Sequence, residues 1–320
     1  MILAPELAIG IVTFNRCELL DGLLASVAAM SPAPTRVIVV DNASSDATQD
    51  VIARWAARLP DGMLVNARQD VNRGGAGGFS EAARLALELG VAWVWLMDDD
   101  VEVVPDALAR LEPWLARFEV VHGRRYDVDG TPFYWQPNFN QFLGVPLPYS
   151  PNVFNKAGYA VINSGTFEGM LVATEIVRRI GLPDPRFFVA WDDAIYAWLA
   201  AQVTQVAYVD TFVLQKKRPQ QQVSLGLRHF NDSSRLFKYH VLRNRAYVGR
   251  YFETYGKLNR FGFALGTAWT FAKEVIRLVV VERSPKGFGE LVRGWRDGRK
   301  IWADPDWRPM PALGEGSPHG

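Results

Sequence analysis

Apolar runs alternate with segments of helical periodicity over the first hundred residues. Residues 8–13 predict a buried strand, and the leucines and the valine that follow recur at helical spacing. Further strands are predicted at 36–40, 63–67 and 92–97, with helical patterns between them. Because these strands are apolar throughout, they indicate a mostly parallel sheet with helices on both faces. The expected fold class is α/β, with ligands bound beyond the carboxyl ends of the strands.

The pattern changes twice in the rest of the chain. Residues 122–165 are rich in Tyr, Phe, Pro and Asn without a clear period, which predicts an irregular substrate-facing segment. Strand and helix patterns then resume up to residue 214, where the composition becomes basic and aromatic. We therefore expect a first domain over 1–214 and a mainly helical region over 215–320.

Charge is distributed unevenly between these two parts. Residues 1–214 carry 15 Lys and Arg against 25 Asp and Glu, a net charge of −10, whereas residues 215–320 carry 20 against 9, a net charge of +11. The acidic part suits a cation and the basic part an anionic surface. Nucleic acid is not an expected partner, because no recognised binding motif accompanies the basic charge. Cys17 is the single cysteine, which excludes a disulfide framework and a cysteine zinc site.

One stretch has the length of a membrane span. Residues 261–281 are largely apolar, but Lys273, Glu274 and Arg277 lie within them, and charge in the middle of a span is costly. We expect an interfacial or core helix instead. The amino-terminal residues lack the basic start and the long apolar run of a secretion signal, so the expected location is the cytoplasm.

Acidic residues follow the strongest predicted strand. Asp98, Asp99 and Asp100 stand together after residues 92–97, and three adjacent carboxylates repel one another unless a cation binds them. A helix start is the alternative, but it needs fewer carboxylates. The sequence therefore predicts a divalent metal site at this strand end.

A second acidic pair and a glycine-rich loop are weaker signals. Asp192 and Asp193 stand among aromatic residues, where burial and mutual repulsion raise a carboxyl pKa toward the range of a general base. A simple helix start is an equal alternative. Residues 72–78 form a glycine-rich loop before a helix predicted at 79–89, which suits phosphate, although a tight turn explains it as well.

The order of these motifs resembles that of the inverting family 2 glycosyltransferases with the GT-A fold. The likeness covers about residues 8–300, and within the family it is greatest to bacterial galactofuranosyltransferases of cell-surface galactan synthesis. It is carried by Val40-Asp41-Asn42-Ala43-Ser44, Asn72-Arg73-Gly74-Gly75-Ala76-Gly77-Gly78, Asp98-Asp99-Asp100, Trp191-Asp192-Asp193, Tyr239-His240-Val241-Leu242-Arg243-Asn244-Arg245 and Ser284-Pro285-Lys286-Gly287.

The resemblance implies a nucleotide-sugar site in the first domain. Thr13 and Asp41 match residues that hold the uridine of the donor. Asn72, with Gly75 and Gly77, matches the loop beside the donor. The fold implied is a GT-A, Rossmann-like domain followed by the basic helical region.

The resemblance also implies roles for the acidic residues. Asp98 and Asp100 match the pair that binds Mn²⁺ or Mg²⁺ on the donor diphosphate, with Asp99 between them in the donor site. Asp193 matches the general base that deprotonates the acceptor hydroxyl, with Asp192 beside it.

One position departs from the family pattern. Where the family usually has a metal-ligating His, the aligned residue is Gln215, and a carboxamide is a poorer ligand than imidazole for a transition metal. Gln215 could supply a carbonyl oxygen to the metal, or Lys216 or Lys217 could replace part of its charge. A third alternative is that His229 or His240 folds back to the site.

The basic region suits a lipid-linked acceptor at a membrane. Arg243, Arg245 and Arg250 are candidates for bidentate contacts with a diphosphate. The helix that starts near Phe261 mixes aromatic and basic residues, as helices on anionic membrane surfaces do, although a helix packed on the catalytic domain is the alternative.

The expected function is transfer of a sugar to a hydroxyl of a lipid-linked cell-surface glycan by a protein peripheral at the inner face of the membrane. The best candidate donor is UDP-galactofuranose. One alternative is rhamnose transfer from dTDP-rhamnose. Another is an inactive homologue that binds a nucleotide-sugar, because Gln215 departs from the pattern.

Overall fold

The computed structural model describes residues 6–133, 138–146, 153–218, 222–224, 229–231 and 234–314. The strands are β1 (Leu7–Thr13), β2 (Arg36–Asp41), β3 (Leu64–Arg68), β4 (Trp93–Asp98), β5 (Val101–Val103), β6 (Val120–Tyr126), β7 (Phe139–Asn140), β8 (Val145–Pro146), β9 (Tyr159–Ile162), β10 (Met170–Ala173), β11 (Val206–Lys216), β12 (Gln222–Ser224) and β13 (His229–Asn231). The α-helices are α1 (Cys17–Ala28), α2 (Thr48–Ala56), α3 (Gly74–Glu88), α4 (Ala107–Leu115), α5 (Thr174–Ile180), α6 (Asp192–Ala200), α7 (Arg235–Arg243), α8 (Arg245–Thr254), α9 (Arg260–Ile276) and α10 (Phe288–Ala303). A short 3₁₀ helix (Pro185–Phe187) precedes α6, and a π-helical turn (Arg277–Val281) continues α9.

Nine strands form one mixed sheet in the order β3-β2-β1-β4-β10-β6-β11-β5, with β9 also paired to β11. The strands β1 to β4 pair in parallel, as their continuous apolar pattern predicts. Strand β10 runs antiparallel between β4 and β6. The expected α/β class is confirmed, and antiparallel strands complete its second half.

The register of the parallel strands brings their polar ends together. Thr13 at the end of β1 pairs with Asp41 at the end of β2. On the other side of β1, Val12 pairs with Asp98 at the end of β4. Because the carboxyl ends of neighbouring parallel strands share one edge, these polar residues face the crevice where such sheets bind ligands.

Strand β11 crosses the expected end of the first domain. It continues two residues beyond 214, and Leu214 and Lys216 pair with Val103 and Val101 of β5. The sheet therefore extends to Lys216. This extension matters for the site, because it carries Lys216 to the carboxyl end of the sheet.

The carboxyl-terminal helices pack on the sheet domain. Val248, Tyr251, Phe252 and Phe263 from α8 and α9 belong to the same buried core as the strands. A second, smaller core of Val241, Leu242, Leu278 and Leu291 joins α7, the π-helical turn and α10. The basic region is mainly helical, as the sequence predicts.

The charged residues near the end of α9 and in the π-helical turn after it face inward. Glu274 is fully buried and forms an ion pair with Arg277, which is also buried, and a longer one of 3.7 Å with Lys273. Within the described residues, no helix combines the length and the apolar character that crossing a bilayer requires. The three charged residues that interrupt the apolar stretch therefore pair with one another where the helix packs on the rest of the fold.

Candidate active site

The acidic strand end forms a cluster with a residue from elsewhere in the chain. Asp98, Asp100 and Glu168 each place one carboxylate oxygen within 4.8 Å of the others. Burial, and then the charges of neighbouring carboxylates, raise the pKa of Asp98 well above its usual value and raise that of Asp100 as well. Carboxylates crowded in this way are a donor set that hard divalent cations fit.

Glu168 is the member of the cluster that the sequence did not single out. It accepts an ion pair of 2.9 Å from Arg125 and two contacts, of 2.9 and 2.8 Å, from Lys216. Burial by itself raises the pKa of Glu168, but the two cations outweigh it and hold that pKa below its usual value. The only sequence signal was its place within the strand-like stretch 165–173, a position that many structural residues share.

Asp99 points away from the cluster toward the end of β1. Its carboxylate accepts the Thr13 hydroxyl at 2.7 Å and the Arg16 guanidinium at 2.8 Å, and its side chain is 2% exposed. Asp98 is the last residue of β4, and Asp99 and Asp100 lie in the turn before β5, so the turn directs the Asp99 carboxylate to β1 and leaves those of Asp98 and Asp100 in the cluster. In this arrangement Asp99 and Thr13 hold the ends of β1 and β4 together.

Asp41 is fully buried at the end of β2 and organises the turn that follows. One oxygen accepts the backbone N–H of Ser44 at 2.8 Å, and the other accepts the Gln49 amide at 2.6 Å. Its carboxylate is therefore already bonded on both oxygens, and it lies beside Thr13 through the β1–β2 register.

The glycine-rich segment is helical rather than a loop. Helix α3 begins at Gly74, so Gly75 and Gly77 lie in its first turn, and Gly77 is buried. The Asn72 side chain accepts the backbone N–H of Gly74 at 2.8 Å. Gly74 has φ +71°, and a side chain there would collide with the Phe188 carbonyl oxygen. The sequence prediction of a helix start at residue 79 is wrong. The glycines before it were predicted as a loop, whereas they form the first turn of α3, where neighbouring atoms leave no room for a side chain at Gly74 or Gly77.

Asp192 and Asp193 open α6, and both are half-buried. Burial, and then the charge of Asp193, raise the pKa of Asp192 to about 8. Burial raises the pKa of Asp193 to about 6, against the opposing hydrogen bonds of the Ala194 backbone and the Thr166 hydroxyl. The two carboxyls interact and titrate as a pair, and burial keeps the pair from carrying two full negative charges near neutral pH.

One short segment connects the acidic pair to the acidic cluster. The Thr166 side chain lies beside the Asp193 carboxylate and lowers its pKa, and the Thr166 hydroxyl accepts the backbone N–H of Glu168 at 3.2 Å. Arg125, which pairs with Glu168, also lowers the pKa of Asp193 through its charge. The structure therefore brings the two acidic groups that the sequence predicted separately into one site.

Gln215 does not reach the cluster. Its amide donates to the backbone carbonyl of Asp127 at 2.5 Å, while the next residue, Lys216, projects to Glu168. Because successive side chains of a strand point to opposite faces, Gln215 and Lys216 cannot both face the site. The expectation that Gln215 ligates a metal is corrected, and Lys216 occupies the site-facing position. Lys217 pairs with Glu102 at 3.1 Å, where both side chains are partly exposed.

The histidine alternative is not supported either. His240 stacks on the Phe188 ring, with centroids 5.0 Å apart, and burial lowers its pKa to about 4. It therefore belongs to the packing around the segment before α6. The His229 side chain lies outside the described residues.

The arginines expected to bind a diphosphate have other partners. Arg243 donates to the backbone carbonyls of Arg186 and Phe187. Arg245 is buried and donates to the carbonyls of Leu143, Gly144 and Phe263 and to the Thr267 hydroxyl. Arg250 bonds Glu253 and the carbonyl of Asp304. All three guanidinium groups therefore already bond backbone carbonyls, and Arg250 bonds a carboxylate as well.

Comparison with known proteins agrees with this geometry. The model of Glycosyl transferase family 2 matches residues 8–173. Galactofuranosyltransferase GlfT1 of Mycolicibacterium smegmatis is 38% identical over 207 residues, which are 57% of this chain and 61% of that relative, so the match spans less than two thirds of its length. Galactofuranosyltransferase GlfT1 of Mycobacterium tuberculosis is 26% identical over 314 residues, 91% of this chain and 94% of the relative.

Solved structures share the fold. S. aureus TarS 1-349 in complex with UDP-GlcNAc aligns with a TM-score of 0.55 at 15% identity, over 93% of this chain and 90% of that one. Mannosyltransferase PcManGT from Pyrobaculum calidifontis, in complex with GDP-Man and Mn²⁺, aligns with a TM-score of 0.54 at 16% identity, over 94% and 84%. These likenesses confirm the GT-A type of fold. Since the family model also covers more than half of the sequence, the chain belongs to glycosyl transferase family 2.

Proposed function

We propose that the protein transfers galactofuranose from UDP-galactofuranose to a hydroxyl of a lipid-linked cell-surface glycan, with inversion at the sugar carbon. The observation that carries this proposal is the joining of two carboxylate groups by one segment. Thr166 lies beside Asp193, and two residues later Glu168 joins Asp98 and Asp100. A donor-binding group and a base on opposite sides of one short segment suit direct attack of a hydroxyl on a bound donor.

Asp193 is the proposed general base. Its carboxylate is half-buried at the start of α6, and its raised pKa of about 6 leaves it ionised yet basic at neutral pH. A base with a pKa near the working pH accepts a proton most effectively during attack. Asp192 stays protonated up to about pH 8 and so keeps a second negative charge away from Asp193.

Asp98, Asp100 and Glu168 are the residues that would hold a divalent cation. The crowding of their oxygens and the raised pKa values of the two aspartates are what a cation would relieve, so the site fits Mn²⁺ or Mg²⁺. A bound cation supplies positive charge to the diphosphate of the leaving nucleotide. Lys216 and Arg125 add fixed positive charge beside the same carboxylates.

Thr13 and Asp41 remain the proposed neighbours of the nucleotide base. They lie at the carboxyl ends of adjacent strands, where open α/β sheets bind nucleotides. Asn72, Gly75 and Gly77 remain proposed neighbours of the donor, at the amino-terminal end of α3. Galactofuranose is the proposed sugar because the two relatives described above are named galactofuranosyltransferases.

The surface of α9 supports peripheral binding at the inner face of the cell membrane. From residue 261 to residue 280, every exposed residue is apolar: Phe261, Ala264, Leu265, Ala268, Trp269, Ala272, Ile276, Val279 and Val280. We call this set the apolar stripe. Exposed basic residues follow it in the loop and in α10: Arg283, Lys286, Arg293, Arg296, Arg299 and Lys300. An apolar stripe beside positive charge suits an anionic bilayer surface, where a lipid-linked acceptor would lie.

Thermal unfolding with UDP, in the presence and absence of Mn²⁺ or Mg²⁺, is the first test. Ligand that binds the native state raises the unfolding temperature according to its occupancy. We expect a shift with UDP that either cation enlarges, and no comparable shift with dTDP. A larger shift with dTDP would favour dTDP-rhamnose as donor, and no shift with either nucleotide would contradict the nucleotide-sugar site.

Turnover is the second test, measured as UDP release from UDP-galactofuranose with a series of octyl glycosides as acceptors. Replacing the base with Asp193→Asn should lower the rate about 10²–10⁴-fold while the thermal shift with UDP remains. Binding of UDP without any release by the wild-type protein would instead indicate an inactive homologue. Full activity of the variant would remove Asp193 as the base.

A further inference from the structure

The segment between the 3₁₀ helix and α6 has a backbone that non-glycine residues rarely adopt. Phe188 has φ 65° and ψ −59°, with the Val189 N–H bonded to the Phe187 carbonyl at 2.8 Å, which is a classic γ-turn. Ala190 and Trp191 follow with φ values of 71° and 73°. Such conformations persist only where surrounding contacts impose them. We call residues 187–191 the base segment, because it leads directly into Asp192 and the proposed base, Asp193.

A single side chain bonds most of the base segment. Asn244, which is fully buried between α7 and α8, directs its Nδ2 at the carbonyl oxygens of Phe187 at 2.8 Å, Val189 at 2.8 Å and Ala190 at 3.0 Å. Two N–H groups are shared among these three acceptors. Without Asn244, the part-buried carbonyls of Val189 and Ala190 would lose this partner, while the Phe187 carbonyl would keep the Val189 N–H and the Arg243 guanidinium.

Neighbouring residues fix the orientation of that amide and add to its grip. Arg243 donates its Nε to the Asn244 side-chain oxygen at 2.8 Å, so the amide nitrogen must face the base segment. The other end of the same guanidinium bonds the Phe187 carbonyl. The Trp191 indole donates to the Val241 carbonyl at 2.9 Å, which ties the last residue of the segment to α7.

From these contacts we infer that Asn244 is a positioning residue, which holds the base segment in its strained form and thereby sets the place of Asp193 relative to the donor. The inference rests on the proposed function of Asp193 as the base. Asn244 is carried by the helical region and touches no proposed substrate or metal position. Its effect on the reaction is therefore indirect, through the backbone that delivers the base.

The test compares Asn244→Ala with a matched control, Asn259→Ala. Asn259 also bonds backbone with its side chain, accepting the Gly262 N–H at 2.9 Å at the start of α9, but it does not touch the base segment. Hydrogen–deuterium exchange reports the base segment without reference to activity. We expect at least about tenfold faster exchange in a peptide covering residues 187–195 for Asn244→Ala, and no change there for the control.

Kinetics then separate positioning from donor binding. With UDP-galactofuranose and the octyl glycosides, Asn244→Ala should lower kcat by at least about tenfold while KM for the donor stays within about threefold. Asn244→Ser keeps one donor and should lie between the wild type and Asn244→Ala; it carries the test if the alanine variant does not fold.

The outcomes distinguish this inference from the proposed function. Unchanged exchange of residues 187–195 in both Asn244 variants would overturn the inference, and so would an unchanged kcat. If the Asn244 variants exchange faster but the wild-type protein does not release UDP, the positioning of the base segment by Asn244 is supported. The proposed sugar transfer is then contradicted.

Discussion

Lys216 donates to both carboxylate oxygens of Glu168, at 2.9 and 2.8 Å, from a side chain that is only 2% exposed. Arg125 bonds the same carboxylate at 2.9 Å. One of the three clustered carboxylates is therefore neutralised by the protein itself, and Asp98 and Asp100 carry the charge that remains for a cation. This balance is open to test.

Removing the Lys216 charge should tighten cation binding. In Lys216→Met the cluster loses a nearby positive charge, and at an effective dielectric constant of about 20 this corresponds to a gain of at least about tenfold in affinity for Mn²⁺. Titration calorimetry with Mn²⁺ measures it directly. Lys217→Met is the matched control, because Lys217 pairs with Glu102 in a more exposed place and should change the affinity little. Weaker Mn²⁺ binding in Lys216→Met would show that the lysine supports the cation site instead of competing with it.

Activity should fall as the pH is lowered through about 6. The pKa of Asp193 is raised to about 6 by burial, which the Ala194 and Thr166 hydrogen bonds and the Arg125 charge oppose, and only the ionised carboxylate can accept the acceptor's proton. A profile of kcat against pH from 5 to 8 checks this. A profile that stays flat between pH 5 and 7 would argue against Asp193 as the titrating base.

Asp192→Asn provides the matched comparison for that profile. Asp192, whose pKa is raised to about 8 by burial and by the charges of Asp193 and Asp184, is still protonated when Asp193 ionises. A neutral amide resembles that protonated state, so the acid limb near pH 6 should stay in place in the variant. Any change should appear near pH 8 instead. A limb displaced to lower pH would mean that Asp192 ionises before Asp193.

The apolar stripe should be required for membrane binding. Burying two aromatic side chains in a bilayer surface favours binding, so Phe261→Ser with Trp269→Ser should weaken co-sedimentation with phosphatidylglycerol vesicles by at least about tenfold. Val161→Ser is the control, because Val161 is 54% exposed on β9, outside the stripe. Added salt should weaken binding of the wild type, since basic residues accompany the stripe. Equal sedimentation of all three proteins would contradict the assignment.

Two glycines in the carboxyl-terminal helices should respond in opposite directions to alanine. A Cβ at Gly266 in α9 would overlap the Leu143 carbonyl, so Gly266→Ala should lower the free energy of unfolding by about 1–3 kcal/mol. At Gly289 in α10 no atom lies within 4 Å of an added Cβ. Gly289→Ala should therefore raise the free energy of unfolding by about 0.5–1 kcal/mol, because alanine favours the helix. Urea unfolding of both variants measures the difference. Equal effects would mean that α9 does not approach Leu143 so closely.

The parallel half of the fold and its acidic strand end were predictable from sequence, because both depend on local pattern. The apolar run of β4 and the three aspartates after it are adjacent in the chain. Asp192 and Asp193 were found for the same reason, as an acidic pair at a helix start among aromatic residues.

The partners of these residues were not predictable, because they arrive through antiparallel pairing. Strand β10 inserts between β4 and β6, and Gly169 bonds the Leu96 carbonyl, which carries Glu168 to the aspartates. Nothing near Glu168 in the sequence encodes that pairing. Gln215 and Lys216 are neighbours on β11, so their side chains point to opposite faces of the sheet. A one-residue error in alignment therefore assigns the wrong one of the two to the site. Arg243 and Arg245 donate to backbone carbonyls. A sequence does not show which carbonyls lie within reach of a side chain, so these contacts were not predictable.

The contact between Gly74 and Phe188 packs the start of α3 directly against the base segment. The Phe188 carbonyl accepts the Ala76 N–H at 3.1 Å, and a side chain at position 74 would have no room beside it. The start of α3, on the proposed donor side, and the segment that leads to the proposed base are therefore built against each other. Attempts to change the donor by exchanging residues 72–78 for those of another enzyme would disturb acceptor activation at the same time. Engineering of this protein should treat the two segments as one transplantable unit.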